Sequence, residues 1–364
     1  MKKKITGIIL VAMMLMTACS NGAQQSSEET TVNSEATASA SSSETSVVAE
    51  SSAESSSAEE ETGTDETGEN RPAAGGGEMG TDKNDDEELQ AMLSETVDKF
   101  TLEEYTDEET GLTVPYNIYL PDDYDESKSY PMVVFIGDMT TVGTDTEYSL
   151  TQGWGGVVWA TSSEQEKHES IVLVPVYPET ILDDHDGYTT TDYVNLTPGM
   201  IKYVSEKYSV DTDRIYGTGQ SMGAMTTLYL AAHNPDLYAA VLIVDGQWDV
   251  SEIKGIEDVN MIYIAAGGDE NAFNGQSEVK AMFDEDGVPY SEVSGLDAQS
   301  DRAGLEEAVS KMLAEGNSHN FITWEAGTVL KEGQSSEGAA EHMASFDYGY
   351  KLESVRDWIF SQTK

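Results

Sequence analysis

The chain has 364 residues, of which 68 are acidic and 19 are basic, so its formal net charge is -49 at pH 7. So negative a chain is a poor partner for nucleic acid or an anionic lipid surface, because both are themselves negatively charged. Cys19 is the only cysteine, which excludes a disulfide within the chain.

The first residues are typical of an export signal. Three lysines at positions 2–4 precede an apolar run over residues 5–16, and small residues lead from it to Cys19. The run is shorter than the about 20 apolar residues that a transmembrane helix needs. A cysteine directly after small residues resembles a bacterial lipobox, so residues 1–19 are predicted to be a lipoprotein signal peptide with Cys19 as the lipidation site. A cleaved signal with an incidental cysteine is the alternative.

Residues 20–94 are predicted to be a disordered acidic tether. They are rich in Ser, Thr, Glu, Ala and Gly, they nearly lack aromatic side chains, and Arg71 and Lys83 are their positive charges. Such a composition cannot bury enough apolar surface to order itself. The catalytic domain is therefore expected to cover residues 95–364, which is enough chain for one α/β domain with a sizeable core.

The first part of the domain alternates strands with loops. Period-two alternation predicts a hairpin from residues 99–105 and 112–120, and the unbroken apolar run at 130–136 predicts a buried central strand. Residues 171–176 predict another core strand. Residues 178–193 form a long acidic loop, which is expected at the rim of an active site.

The acidic loop contains the cluster Asp183, Asp184, His185 and Asp186, which has the residue types of a metal site. Consecutive positions, however, direct neighbouring side chains differently, which favours a solvated rim over a set of metal ligands. No metal and no other cofactor is predicted.

Residues 214–225 read as a strand, a sharp turn and the start of a helix, with a G-x-S-x-G motif at their centre. Ser221 lies at the tip of the turn, and side chains at Gly219 or Gly223 would collide with the neighbouring backbone. The N–H groups at the start of the helix would then face a developing oxyanion. An ordinary strand-turn-helix link is the alternative, because five-residue patterns of small residues arise by chance.

The segments around this motif favour the catalytic interpretation. Residues 226–233 predict a helix and residues 239–244 an apolar strand, which together complete a βαβ unit with Ser221 at the carboxyl end of its first strand. The remaining predicted elements are a helix at 197–207, a turn at 211–214, a strand at 261–266, helices at 277–286 and 298–315, a last strand at 320–326 and a closing helix at 352–360.

A serine hydroxyl needs a histidine to take its proton and a carboxylate to orient that histidine. The chain has five histidines. His168 and His185 precede Ser221 and so break the chain order Ser, Asp, His that this arrangement uses. His233 lies about three turns along the helix that follows Ser221, too far to reach the hydroxyl.

Two histidines are left for the role of base. His319 immediately precedes the last strand, which places it at the amino end of that strand, on the edge opposite Ser221. His342 follows the strand and precedes the closing helix, on the edge where Ser221 lies. His342 is therefore the predicted base, with the alternative that both are surface residues.

The predicted acid is Asp269, which follows a strand in a Gly-Gly turn. Asp245 and Asp249 follow the preceding strand and are the reserve candidates. An ordinary turn residue is the alternative interpretation of Asp269.

Three parts of the domain resemble α/β-hydrolase esterases of the polyhydroxybutyrate depolymerase-like and feruloyl esterase-like kind, together with their predicted-peptidase relatives. They are the sequence Tyr-Asn-Ile-Tyr-Leu-Pro at 116–121, Tyr130-Pro131 before an apolar strand, and residues 219–223. The resemblance covers about residues 100–361. It implies an α/β-hydrolase fold, with a mostly parallel central sheet flanked by helices and an N-terminal antiparallel hairpin.

The chain departs from the family pattern after the strand at 130–136. The family usually has His-Gly there, and a backbone N–H that follows lines the oxyanion hole, whereas this chain has Gly137-Asp138. By register, the resemblance assigns the oxyanion donors to the N–H groups of Met222 and Met139.

The sequence therefore predicts an extracellular serine hydrolase that is anchored to the bacterial cell membrane through Cys19. It would cleave carboxylic esters through an acyl-enzyme on Ser221, and acylated polysaccharide is the substrate class that the resemblance suggests. A serine peptidase of the same fold and a catalytically silent binding lipoprotein are the alternatives.

Candidate substrate contacts come from residues near the predicted mouth of the site. Trp248, Trp154 and Gln220 are the preferred candidates. Trp159, Tyr188 and Tyr193 are the other aromatic residues considered. At least half of the five aromatic residues are expected to provide packing in the core or at an interface, because Trp and Tyr are commonly buried.

Overall fold

The computed structural model describes residues 83–185, 187–336 and 339–364. The predicted signal peptide, Cys19 and the tether up to residue 82 lie outside these residues, as does Asp186. In the described part of the chain, no helix is both long enough and apolar enough to cross a membrane.

The domain alternates strands and helices along most of its length. The strands are β1 (Thr101–Thr106), β2 (Thr113–Tyr119), β3 (Tyr130–Ile136), β4 (Ile171–Pro175), β5 (Leu182–Asp183), β6 (Thr189–Thr190), β7 (Val210–Gln220), β8 (Ala240–Val244), β9 (Met261–Ala266), β10 (Ser291–Leu296) and β11 (His319–Trp324). The α-helices are α1 (Glu87–Thr96), α2 (Tyr148–Thr151), α3 (Trp154–Val157), α4 (Ser162–Lys167), α5 (Asp192–Lys207), α6 (Met222–His233), α7 (Glu270–Asp286), α8 (Arg302–Leu313), α9 (Ala340–Lys351) and α10 (Glu353–Phe360). Short 3-10 helices lie at Val97–Lys99, Met139–Thr141, Val158–Ala160 and Lys254–Asp258.

One large sheet organises the described residues, with the strand order β1-β2-β4-β3-β7-β8-β9-β11-β10. β1 and β2 form an antiparallel hairpin, and β2 also pairs antiparallel with β4. The strands from β4 to β10 in this order are all parallel. Loops that follow parallel strands gather at one edge of a sheet, so this order brings the ends of β3, β7, β8 and β9 together.

Both faces of the sheet are covered by helices, as a parallel sheet requires. Along β3, Met132, Val134 and Ile136 belong to one apolar cluster, and Val133 and Phe135 belong to the other. The first cluster is closed by α5, α6 and α7, and the second by α1 to α3 and α8 to α10. The two-residue alternation of side chains along each strand therefore fills two cores at once.

The predicted fold class is confirmed: the sheet is mostly parallel, it is flanked by helices, and an antiparallel hairpin starts it. The predicted core strands agree with β3, β4, β8, β9 and β11 to within two residues at each end. Two helices begin earlier than predicted. α5 starts at Asp192 and tolerates Pro198 inside it, and α7 starts at Glu270, directly after its N-cap residue Asp269.

Two further local predictions were wrong. The segment at 211–214 is part of β7 and not a free turn, although the pairing register with β3 shifts there between Tyr130 and Met132. β10 was missed, because it is an edge strand with exposed polar residues and with Gly295 at a positive φ of 69°. Such a strand lacks the continuous apolar run that identifies a central parallel strand.

The predicted boundary at residue 94 was placed too late, because α1 packs on the domain. Asp86 caps this helix by accepting a hydrogen bond from the N–H of Leu89 at 3.0 Å, and Leu89 is fully buried. Met92 and Leu93 pack against the same core, so the apolar residues are three and four positions apart, as on one helix face. The acidic composition of the long preceding stretch concealed this short amphipathic pattern.

Replacement of Leu89 by Ala should lower the free energy of unfolding by about 2–5 kcal/mol, because a fully buried leucine leaves a cavity. Leu102→Ala is the matched control: that side chain is 52% exposed, so its loss should cost no more than about 0.5 kcal/mol. Urea unfolding of both variants measures the difference. Equal effects would contradict the assignment of α1 to the domain.

Candidate active site

The turn between β7 and α6 holds Ser221 in strained backbone, with φ 52° and ψ -120°. Its N–H donates to the carbonyl of Val244 at 3.1 Å, which ties the turn to the neighbouring strand. A Cβ at Gly223 would lie 1.9 Å from the carbonyl oxygen of Ile136, and one at Gly219 would lie 2.4 Å from the backbone of residue 223. The steric requirement for both glycines is therefore confirmed.

Three residues from distant parts of the chain meet at this turn. The Oγ of Ser221 lies 2.8 Å from Nε2 of His342, and Nδ1 of His342 lies 2.5 Å from Oδ2 of Asp269. Asp269 also caps α7, since its Oδ1 accepts a hydrogen bond from the N–H of Ala272 at 3.3 Å. With Nδ1–H donated to the carboxylate, Nε2 is left as the acceptor for the serine hydroxyl. The structure thus brings the predicted nucleophile, base and acid into one hydrogen-bonded chain.

The surroundings of His342 favour its protonated form. Burial acts against the imidazolium, but the hydrogen bond and the negative charge of Asp269 outweigh burial and raise the pKa of His342. The ring also packs edge-on against Phe346, with 4.9 Å between the ring centroids. The histidine is therefore held in one orientation and is made a better proton acceptor.

The other histidines have partners elsewhere. His319 is buried at the amino end of β11 with its ring against Phe283, at the edge opposite Ser221 as predicted. His168 stacks on Phe360 and contacts Asp357, on the side of α10. His233 stacks on Tyr229, one turn earlier in α6.

The two predicted oxyanion donors lie beside the serine. Met222 is the first residue of α6, and Met139 is the first residue of the 3-10 helix after β3. Both residues line the same cavity as Ser221, which is where an oxyanion formed by attack of Ser221 would lie.

Asp138, the residue that departs from the family pattern, is buried and is held by four donors. One carboxylate oxygen accepts from the N–H and the hydroxyl of Thr140, at 2.7 and 2.6 Å. The other accepts from Nε2 of Gln220 at 3.0 Å and from Nε2 of Gln152. Asp138 therefore connects the loop that carries Met139 to the residue just before the nucleophile.

The cavity over Ser221 has a volume of about 480 Å³ and an acidic lining. The acidic side chains that line it include Asp138, Asp183, Asp184, Asp269 and Glu270. In the part of the chain that the structure describes, no lysine or arginine lines this cavity. The local potential therefore favours neutral or positively charged groups over anions.

The acidic loop folds back on itself more than its sequence suggested. β5 pairs with β6, and the ligand-type atoms of Asp183, Asp184 and His185 lie within 4.8 Å of one another. The expectation that consecutive positions separate these side chains was wrong, because the turn brings Nδ1 of His185 to 2.7 Å from Asp183. Asp183 and His185 are exposed at the rim of the cavity, which agrees with the predicted position of the loop.

The predicted substrate contacts need correction, since neither tryptophan lines the cavity. Trp248 is 2% exposed, packs edge-on against Tyr188 and Tyr229, and donates its indole N–H to Glu252. Trp154 is 5% exposed and lies under Lys351, with 5.2 Å from Nζ to the ring centroid. Both rings provide packing, because a large apolar ring at a strand or loop end can turn inward as easily as outward.

Gln220 is likewise buried and binds protein groups. Its side-chain amide donates to Asp138 and, at 2.7 Å, to Oε1 of Gln152. Gln152 is the member of this network that the sequence did not indicate. A glutamine in an irregular segment, 68 positions from its partner, carries no motif that would reveal the contact.

A family model described as "Putative esterase" matches residues 108–350, which is more than half of the chain. The chain belongs to this esterase family. The matched region contains Ser221, Asp269 and His342, so the hydrogen-bonded chain lies within the part that defines the family.

Two proteins with sequences similar to this chain have names that describe them as esterases. Acetylxylan esterase A of Aspergillus awamori is 30% identical over 103 residues, which cover 26% of this chain and 32% of the relative. Feruloyl esterase B of Talaromyces funiculosus is 38% identical over 64 residues, which cover 18% of this chain and 17% of the relative. The chain spans less than a third of the length of these relatives.

A solved structure of a thermostable esterase is 25% identical to this chain, with a TM-score of 0.55. The similarity covers 74% of this chain and 64% of that one. The predicted α/β-hydrolase fold is confirmed.

The pKa of His342 should lie above the ordinary value of 6.5 and should fall in Asp269→Asn, because burial then acts without the opposing charge of Asp269. Titration of the histidine ring protons by NMR measures both values, and His342→Gln assigns the signal. Asp357→Asn is the matched control, since it removes the carboxylate partner of His168 and should leave His342 unchanged. A wild-type value below 6.5 would contradict the described electrostatics.

Proposed function

We propose that this protein is a serine hydrolase that cleaves carboxylic esters through an acyl-enzyme on Ser221. The observation that carries the proposal is the hydrogen-bonded chain from Ser221 through His342 to Asp269, placed on a strained turn beside an open cavity. Membership of the esterase family supports the same reaction class.

In the first half-reaction, the Oγ of Ser221 attacks the acyl carbonyl carbon while its proton passes to Nε2 of His342. Asp269 stabilises the resulting imidazolium without taking the proton itself. The carbonyl oxygen becomes an oxyanion, which the N–H groups of Met222 and Met139 would stabilise. When the tetrahedral intermediate collapses, the C–O bond to the alcohol breaks, and His342 returns the proton to the leaving alkoxide.

In the second half-reaction, a water molecule takes the place of the alcohol. His342 removes a proton from that water as it attacks the acyl carbon, and the same N–H groups hold the second oxyanion. Collapse breaks the bond to Ser221, and the proton returns to the serine oxygen. The products are a free acid and the regenerated hydroxyl.

The proposed substrate is an ester carried by a polysaccharide outside the cell. Two points support it: the relatives named as acetylxylan and feruloyl esterases, and the predicted export signal with a lipobox-like Cys19. A lipid at Cys19 would anchor the protein at the bacterial cell membrane, and residues 20–82 would separate the domain from that membrane.

Labelling of the full chain with a fluorophosphonate probe tests the nucleophile, because such probes react with activated serines. The wild type should label, and Ser221→Ala and His342→Ala should not. Ser205→Ala provides a serine control within the same fold: Ser205 lies on α5 and does not line the cavity, so this variant should still be labelled at Ser221. A folded wild type that never labels would favour a binding protein without catalytic activity.

Neutralisation of the cavity rim should change the substrate preference. In the double variant Asp183→Asn with Glu270→Gln, kcat/KM for an anionic ester should rise about tenfold relative to a neutral ester of the same size, because two repelling charges are gone. The ratio of the two kcat/KM values at low ionic strength is the measurement. Glu315→Gln is the control: this residue precedes β11 on the edge away from the cavity, and its ratio should stay at the wild-type value.

A further inference from the structure

A second aspartate lies behind the proposed catalytic residues and takes no part in the mechanism above. Asp245 directly follows β8, is fully buried, and has a positive φ of 47°. Ser221 is the other non-glycine residue with positive φ in the described chain. Strained backbone at a buried polar residue points to a functional role for its side chain.

The carboxyl group of Asp245 contacts two segments that carry the proposed catalytic residues. Its Oδ1 accepts a hydrogen bond from the N–H of Ala266, at the end of β9 and three residues before Asp269. Its Oδ2 lies 2.5 Å from the Oγ of Ser345. That same Oγ lies 2.8 Å from the backbone carbonyl oxygen of His342.

The hydroxyl of Ser345 cannot donate a hydrogen bond in both of these short contacts. The hydroxyl of Ser345 has one hydrogen, and a carbonyl oxygen can only accept. If the hydroxyl donates to the carbonyl of His342, the contact with Oδ2 of Asp245 is a hydrogen bond only when Oδ2 carries a proton. An ionised Oδ2 would instead place its lone pairs against those of the serine oxygen, or would draw the hydrogen away from His342.

We propose that Asp245 is a protonated, neutral carboxylic acid that positions the catalytic base. Oδ2–H donates to the hydroxyl of Ser345, which donates to the carbonyl of His342. This chain joins the end of β8 to the first turn of α9, while Oδ1 holds the end of β9. Asp245 thereby fixes the backbone of His342 relative to the strand that leads to Asp269.

The surroundings of Asp245 agree with a neutral acid. Burial raises the pKa of the Asp245 carboxyl, and the negative charge of Asp269 raises it further. These effects outweigh His342 and the hydrogen bonds with Ser345 and Ala266, which lower it, and the pKa is raised to about 7. Tyr263 on β9 and Tyr350 on α9 are the other titratable groups that interact with it, and burial raises the pKa of both phenols, so they stay uncharged. A protonated Asp245 leaves a single negative charge, on Asp269, beside the imidazole.

Substitution distinguishes a neutral acid from a carboxylate. Asp245→Asn can keep both hydrogen bonds, because an amide also has one acceptor oxygen and a donor group. It should retain kcat within about threefold of the wild type. Asp245→Ala removes these hydrogen bonds, and kcat should fall about 100-fold. A loss of this size is typical when a catalytic group is displaced by about 1 Å. The activity comparison rests on the proposed function.

A second measurement does not depend on activity. An aspartate whose pKa is raised in the folded state binds its proton more tightly there than in the unfolded state. The folded protein therefore loses stability as pH rises from the unfolded pKa to the folded pKa of this group. Asparagine has no such cost. The Tm of Asp245→Asn relative to the wild type should therefore increase by at least about 2 °C between about pH 4 and about pH 8.

Asp249→Asn is the matched control for the Tm series. Asp249 lies in the same loop and accepts hydrogen bonds from the hydroxyl and the N–H of Ser251, which lower its pKa. The wild type therefore gains stability from Asp249 as pH rises, and the Tm of Asp249→Asn relative to the wild type should decrease over the same pH range.

Two results would overturn the proposal. A relative Tm of Asp245→Asn that does not increase with pH would show that the group is ionised in the wild type. A loss of kcat in Asp245→Asn as large as in Asp269→Asn, with the fold intact, would show that Asp245 acts as a carboxylate. If the wild type has no esterase activity at all, the proposed function fails, and the Tm series still decides the protonation of Asp245.

Discussion

The arrangement depends on the close approach between the turn after β7 and the end of β3. No side chain fits at Gly223, because a Cβ there would lie 1.9 Å from the carbonyl oxygen of Ile136. This contact fixes Ser221 in a strained conformation at the carboxyl edge of the sheet, and the N–H to the carbonyl of Val244 fixes the turn from the other side. With this turn held in place, the predicted acid at the N-cap of α7 and the predicted base in the first turn of α9 can come from distant parts of the chain.

Three buried aspartates surround this turn, and each is stabilised differently. Asp138 is satisfied by neutral donors, among them the amide of Gln220, and Asp269 is paired with His342. Asp245 has one backbone N–H and a hydroxyl that it shares with the carbonyl of His342, which is less compensation for a negative charge than the other two receive. Buried carboxylates without compensation are costly, so the division of roles follows from which partner each one has.

The sequence was sufficient for the features that topology determines. Strand order and the parallel sheet decide which strand ends meet, so Ser221, Asp269 and His342 could be selected from chain order together with the edge of the sheet at which each lies. The directions of side chains could not be predicted from strand order. Trp248 turns into the core, and Asp183 turns towards His185. The buried contact between Gln152 and Gln220 also has no periodic signal, and α1 was concealed because its few apolar residues follow a long acidic stretch.

The chemistry and the selectivity of the site have separate structural origins. The proposed nucleophile and acid directly follow the ends of β7 and β9 or their turns, and the proposed base lies in the first turn of α9. The acidic rim, by contrast, comes from the loop that contains β5 and from the first residue of α7, which is exposed. Loops tolerate substitution better than strand ends, so the charge around the cavity can change while the reacting groups keep their positions. Selectivity for uncharged esters would then be a property of this chain, even though the fold belongs to its family.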